Sequence, residues 1–319
     1  MEEKFCFEKA REDGIARLCA VGVDVDSAFV LADCLATADL YGVSSHGTRT
    51  LDAHLDKIKR GDYNLKPNFE VMRETAAFAL INADNAIGAV SADYCMRYAM
   101  NGAKRSGIFT VLARGANTLG AAFYYPLKAA EEGFIAMIST NSPAQMSPIG
   151  GRERLLGTNP FSVVIPVPDS DPIIIDMSSS VVAKSKFAEC KEKGEPLPEG
   201  WALDSEGRPT RDPDEGISGL VLPMAGFKGI GMSMLVDVLS GVLSGSAYLN
   251  RVGRFYSEDG KPMNVGYYIT VIDPCAVLGD GYKDAVRDFV SILRSSAPID
   301  GSSVILPGDD RLSAKRKNS

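Results

Sequence analysis

The chain reads as an α/β protein whose first third is helical, and three observations carry that reading. Apolar residues recur at helical spacing up to about residue 75. From about residue 76, short β-prone runs alternate with helical stretches, which predicts a sheet that is at least partly parallel. No such run leads into a G-x-G-x-x-G turn, so a conventional dinucleotide fingerprint is absent.

In chain order, Asp26 is placed to cap a helix on which Phe29, Ala32, Leu35 and Ala36 share a face, with Gly42 to end it. Ser44 or Ser45 can cap a second helix, with Leu51, His54, Leu55 and Ile58 at i, i+3, i+4 and i+7. Strands are predicted at 77-AFALINA-83, 109-FTVLAR-114, 134-FIAMIST-140, 161-FSVVIPV-167, 173-IIIDM-177 and 267-YYITVID-273. Helical stretches at 89–107 and 120–133 separate some of them. Residues 188–222, rich in charge, Pro and Gly, read as a long surface excursion. An amphipathic helix follows, with Met232, Leu235, Val236, Leu239 and Leu243 on one side, and 279–296 returns to helix. The basic end, 311-RLSAKRKNS-319, reads as a frayed terminus rather than a binding arm.

Composition removes several function classes. With 319 residues, 45% hydrophobic and 24% charged, the chain can bury a large core in one or two domains. A net charge of -7, with no basic stretch interleaved with aromatics, argues against a nucleic-acid partner. The longest apolar stretch, 229–249, carries Asp237 and several Ser and Gly residues, which argues against a membrane span. The N-terminus lacks the apolar core of a signal peptide. The six cysteines form no CxxC pair, and two histidines are too few for a His-based zinc site; reduced thiols in a cytoplasmic protein are expected.

The two histidines differ in setting. His54 falls on the apolar stripe and reads as a core residue. His46, in 41-YGVSSHGTRTL-51, lies off it at a junction between helices. An imidazole titrates near neutrality and can both give and take a proton, so His46 is a candidate acid/base, with simple helix capping as the alternative. In 226-GFKGIG-231, Lys228 stands beside glycines at a helix entrance, which suits an anion, though the glycines equally suit close packing. Polar stretches at 139–148, 150–160 and 176–180 stand at strand ends, where open α/β sheets bind ligands. Hydrolase chemistry is disfavoured because no G-x-S-x-G elbow is present.

Seven segments in order resemble the malate/L-lactate/L-sulfolactate dehydrogenase family: ADLYGVSSHG (38–47), GANTLGAAFYY (115–125), AAEEGFIAMISTNS (129–142), GGRERLLGTNP (150–160), IIIDMSSSVVAKSK (173–186), FKGIGMSMLVDVLSGVLSG (227–245) and LPGDD (306–310). This family of NAD(P)-dependent oxidoreductases also includes 2,3-diketogulonate reductase, ureidoglycolate dehydrogenase and piperideine-2-carboxylate reductase. The resemblance covers about residues 14–310. It implies a non-Rossmann NAD(P)-binding mixed-sheet domain at 76–279 and a helical domain formed by 1–75 with 280–319, usually in a homodimer. His46 matches the family's proton donor, and Asp176 is expected to help relay or orient that proton. Ser44, Arg49, Asn141 and Thr158 are the expected substrate neighbours. Asn159, Asp176, Met177, Ser178, Ser179, Lys228, Gly308, Asp309 and Asp310 are the expected contacts of NAD or NADP.

Two positions depart from the family's pattern. Members often carry an arginine four residues after the catalytic histidine, where a guanidinium can hold a substrate carboxylate bidentately; here that position is Thr50, with Arg49 one place earlier. Many also have Asn-His where this chain has Asn117-Thr118. The expected activity is therefore NAD(P)H-dependent reduction of a small 2-oxo acid, with a cyclic ketimine reductase or an inactive cofactor-binding relative as alternatives.

Overall fold

Each β-prone run in the sequence contributes a strand to one sheet of the computed structural model, which describes residues 5–258, 260–299 and 301–319. In chain order come β1 (Glu70–Glu74), β2 (Phe78–Asn82), β3 (Ile108–Ala116) and β4 (Ile135–Thr140). The short β5 (Ala144–Met146) and β6 (Leu156–Gly157) form a ribbon of their own, followed by β7 (Phe161–Ile165) and β8 (Ile173–Met177). After β9 (Ala202–Leu203), β10 (Pro209–Thr210) and β11 (Leu220–Val221), the chain returns with β12 (Val265–Ile272).

The main sheet runs in the order β1-β2-β3-β12-β4-β7-β8. Only β2 and β3 pair in parallel; the other neighbours are antiparallel. β1 went unpredicted because it is an edge strand, exposed along most of its length, with no apolar alternation to betray it.

Helices α1 (Phe7–Ala20), α2 (Val25–Leu40) and α3 (Leu51–Arg60) share one buried cluster with α4 (Gly88–Ser106) and the sheet. Leu31, Leu35, Leu55 and Ile58 meet Met96, Ala99, Val111 and Ile269 there. Helix α5 (Tyr124–Glu131) begins a second cluster, in which Phe123, Tyr41, Ile174 and Leu312 pack together.

Five expectations are corrected. Asp24, not Asp26, caps α2, accepting from the Ser27 amide at 3.0 Å. Neither Ser44 nor Ser45 caps α3; residues 44–46 and 48–50 form two tight 3₁₀ turns before it starts. The excursion at 188–222 is a folded lobe: α6 (Ser185–Lys193), α7 (Pro213–Ser218) and the β10-β9-β11 sheet enclose Phe187, Leu197, Ala202 and Val221. The basic end is also ordered as part of a helix.

The amphipathic helix is the fifth: of its expected apolar side only Val236 is buried. α8 (Phe227–Val236) runs into a π-turn at 237–242, and its buried side is Gly229, Ile230, Ser233, Val236, Ser240 and Gly241. Leu235, Val238, Val242 and Leu243 face outward, each about half exposed or more. Small residues win the inner face because the backbones nearly touch: a Cβ on Gly266 of β12 would lie 1.6 Å from the Ser240 carbonyl oxygen. After α9 (Pro274–Leu278) and α10 (Gly281–Arg294), α11 (Asp309–Asn318) folds back onto α2, with the Asn318 amide donating to the Asp39 and Leu40 carbonyls at 3.1 Å. No helix among the described residues is long and apolar enough to cross a membrane.

Candidate active site

His46 owes its position to Asp39, near the end of α2. One oxygen of that carboxylate accepts from the Thr48 amide at 2.8 Å and from the Thr48 hydroxyl at 2.5 Å. Gly47 is required between them, since a Cβ there would lie 1.9 Å from Asp39 Oδ1. Thr50 is buried and donates its hydroxyl to the Gly47 carbonyl at 2.8 Å, so it tightens the same loop from within. Ser44, His46 and Arg49 are left on the exposed side.

His46 Nδ1 lies 3.0 Å from Ser45 Oγ. With that hydroxyl donating, the neutral ring carries its proton on Nε2, free for a ligand. Solvent reaches the ring, yet the surrounding protein is dense enough to hold its pKa below the usual 6.5; desolvation is the largest cause, followed by Arg311 and Arg49. No hydrogen bond or ion pair engages Arg49 among the described residues, so its guanidinium is available.

Arg311 was absent from the sequence-derived site. The matched LPGDD segment stopped one residue short of it, and the basic run it opens reads as a loose end. The available signal was Leu312, an apolar residue two places after a Gly-Asp-Asp helix start. Arg311 Nη2 donates to Asp176 Oδ2 at 2.5 Å and to the Asp176 carbonyl at 3.3 Å, and its guanidinium carbon lies 5.3 Å from the centre of the Phe123 ring. Burial raises the Asp176 pKa, and Arg311 opposes that rise. Asp176 therefore joins the His46 region through Arg311.

The other expected residues fall into two groups. Asn141, Asn159 and Ser179 are buried and committed to protein partners. The Asn141 amide donates to Asp237 Oδ1 at 3.0 Å and to the Ala247 carbonyl at 2.7 Å, while its oxygen accepts from the Gly266 amide at 3.0 Å. Asn159 bridges the Ser142 amide at 2.9 Å and the Ser233 carbonyl at 2.9 Å. Ser179 donates its hydroxyl to the Thr158 carbonyl at 2.8 Å, and the half-buried Thr158 hydroxyl lies 3.5 Å from that of Ser142. These contacts fix strand ends to α8 and its π-turn.

The second group is accessible. Met177 and Lys228 are exposed and Ser178 is half-buried. Lys228 stands in the first turn of α8, with no side-chain partner among the described residues. Gly229 brings that turn against the end of β8, since a Cβ there would be 2.5 Å from the Ser179 carbonyl oxygen. That contact shows the close-packing role for this glycine, while Lys228 beside it is exposed. Gly308 (φ +94°) likewise lets α11 approach β8, with Ile174 Cβ 2.7 Å from a Cβ at that position. Asp309 is tied to Arg294 and to the Leu306 amide at 2.8 Å, whereas Asp310 is exposed.

A family model described as malate/L-lactate dehydrogenase matches residues 6–319. Malate dehydrogenase from Pyrococcus horikoshii is 40% identical over 288 residues, covering 88% of this chain and 79% of that protein. (2R)-3-sulfolactate dehydrogenase (NADP(+)) from Chromohalobacter salexigens is 32% identical over 318 residues, covering 99% and 93%. The solved structure of sulfolactate dehydrogenase from Methanocaldococcus jannaschii matches with a TM-score of 0.93 at 30% identity, covering 99% of this chain and 91% of that one. Sequence and fold thus agree: the chain belongs to the malate/L-lactate dehydrogenase family.

Proposed function

We propose that the protein is an NAD(P)H-dependent reductase of a small 2-oxo acid, working in reverse as a 2-hydroxyacid dehydrogenase, with His46 as its acid/base. The carrying observation is His46 itself: solvent-reachable, braced by Ser45 and the Asp39-held loop, and flanked by two guanidinium groups. A depressed pKa makes protonated His46 a stronger acid toward a developing alkoxide and leaves neutral His46 ready as a base for the reverse step. The unpaired Arg49, rather than Thr50, is the neighbour able to meet a substrate carboxylate, with the exposed Ser44 beside it.

The residues present suit a dinucleotide. Lys228 in the first turn of α8 fits a phosphate, while Ser178 and the accessible carboxylate of Asp310 fit ribose hydroxyls. Met177 offers an apolar surface at the end of β8. A bound nicotinamide supplies the hydride. Arg311 holds the Asp176 carboxylate and keeps a positive charge near the imidazole.

The reading extends to assembly and location. The outward apolar row of Leu235, Val238, Val242 and Leu243 supports a homodimer, because a soluble monomer rarely leaves such a row uncovered. Six free cysteines support a reducing, cytoplasmic setting.

The test is oxidation of NADH and, separately, NADPH with pyruvate, oxaloacetate, a sulfonated pyruvate, 2,3-diketogulonate and piperideine-2-carboxylate. His46→Ala should abolish turnover with cofactor affinity nearly unchanged. Turnover that survives in this variant would remove His46 from the chemistry, and reduction of the cyclic imine alone would replace the oxo-acid reading.

A further inference from the structure

Two cations, Arg154 and Lys184, converge on one carbonyl oxygen of the lobe that follows β8, the exposed Arg254 acts on both from outside it, and no carboxylate among the described residues pairs with any of the three. Arg154 donates from Nε to the Gly219 carbonyl at 2.9 Å and from Nη2 to the Ile217 carbonyl at 3.0 Å, closing the C-terminal end of α7. Lys184, at the N-cap of α6, points Nζ at the same Gly219 oxygen from 3.4 Å. Arg254 comes close enough to act electrostatically on both.

The arrangement is costly as it stands. One carbonyl oxygen cannot offset two cations, and like charges in half-buried surroundings repel. Burial and then Arg254 lower the Arg154 pKa; burial, then Arg154 and Arg254, draw Lys184 down to about 8. The chain carries 41 acidic residues against 34 basic ones, so a neutralising carboxylate was readily available to this lobe. Arg154 Nη1, most of the Lys184 ammonium and the Arg254 guanidinium remain to donate, and the first turn of α6 adds partial positive charge.

The lobe is joined to the end of β8. Val181 donates its amide to the Leu222 carbonyl at 2.8 Å, and Ser180 pairs with Pro223. A ligand lying along residues 176–180 thus follows a continuous path of chain towards Lys184.

We propose that Arg154, Lys184 and Arg254 form a binding site for a compact oxyanion carried by one of the enzyme's own ligands. Two sources share that chemistry: a phosphate of the nicotinamide cofactor, or the second acid group of a dianionic 2-oxo acid. Assigning the anion to those ligands rests on the reductase reading; the existence of the site does not.

The experiment has two arms. In the first, Lys184 is acylated near pH 8 and followed by mass spectrometry with and without inorganic phosphate or sulfate. An occupied site raises the Lys184 pKa and slows its labelling several-fold, whereas unchanged labelling overturns the site. In the second, Lys184→Gln and Arg254→Gln are compared with Lys184→Arg, which keeps the charge; Arg154 is left alone because it also caps α7. Loss of one charged hydrogen bond corresponds to about tenfold in affinity.

A rise in Kd for NADPH alone assigns the site to the phosphate that NADH lacks, and an equal rise for both cofactors assigns it to their shared diphosphate. A rise in KM for oxaloacetate with pyruvate unaffected assigns it to the substrate's second acid group. Unchanged constants throughout overturn the assignment to the enzyme's ligands. If no oxo acid is turned over at all, the labelling and cofactor titrations still decide the site, while the reductase reading fails separately.

Discussion

Arg311, in the first turn of the last helix, bonds Asp176 at the end of β8 across 135 positions of sequence, with Nη2 2.5 Å from Oδ2. Both side chains are largely buried, so the pair clamps the C-terminal helix to the sheet beside His46. Breaking such a pair from one side leaves a buried charge uncompensated, which costs about 3 kcal/mol. Arg311→Gln should therefore lower stability by that order in denaturant titration. It also removes a cation that depresses the His46 pKa, so the His46-controlled limb of kcat/KM should move to higher pH. An unmoved limb would show that Arg311 is only structural.

His54 offers a separate pH signature. It is 3% exposed, with Nδ1 3.2 Å from the Tyr63 hydroxyl, and burial followed by Lys57 draws its pKa down to about 4. The folded state therefore binds this proton less readily than the unfolded chain, whose histidine titrates near 6.5. The contribution is fully present above about pH 6.5 and is lost as pH falls towards 4, amounting to about 3 kcal/mol. Urea titrations across that range should show the slope, and His54→Gln should flatten it.

The Gly47 site predicts loss of activity without contact to substrate. A methyl group at Gly47 would displace the Asp39 carboxylate that fixes Thr48, and the loop that carries His46 would shift. Gly47→Ala should destabilise the protein by about 1–3 kcal/mol and lower kcat more than it changes cofactor affinity. Wild-type turnover in this variant would show that the loop tolerates movement of His46.

The outward face of α8 predicts the oligomeric state. Leu235→Asp with Val238→Asp should turn a dimer into a monomer in light scattering, since two charges at the centre of an apolar contact are desolvated without partners. A wild-type monomer at micromolar concentration would remove the dimer from the proposal.

Much of the architecture was legible in local pattern. Each β-prone run became a strand because an alternation of apolar residues states which edge of the backbone seeks cover. The same logic separated the histidines: His54 lies on the apolar stripe of α3 and is buried, while His46 lies off it and is open to solvent. The ordered motifs also carry the resemblance to the family on their own.

The tertiary structure decided what each face meets. Periodicity cannot say that β12, last in sequence, inserts between β3 and β4, because strand order depends on contacts between distant segments. It did not show that most of the apolar side of α8 stays uncovered, since a Ser and Gly surface can outcompete leucine where backbones pack within touching distance. Asn141 and Asn159 read as polar loop residues, yet the fold commits their amides to holding strand ends against the π-turn and α8 respectively. The one local mark near Arg311 was Leu312, which signals an ordered helix but not its bond to Asp176. Sequence alone determined six strands of the main sheet, the apolar stripe of α3 and the candidate acid; only the folded chain decided which charges stand together, because electrostatic partners are chosen through space and not along the backbone.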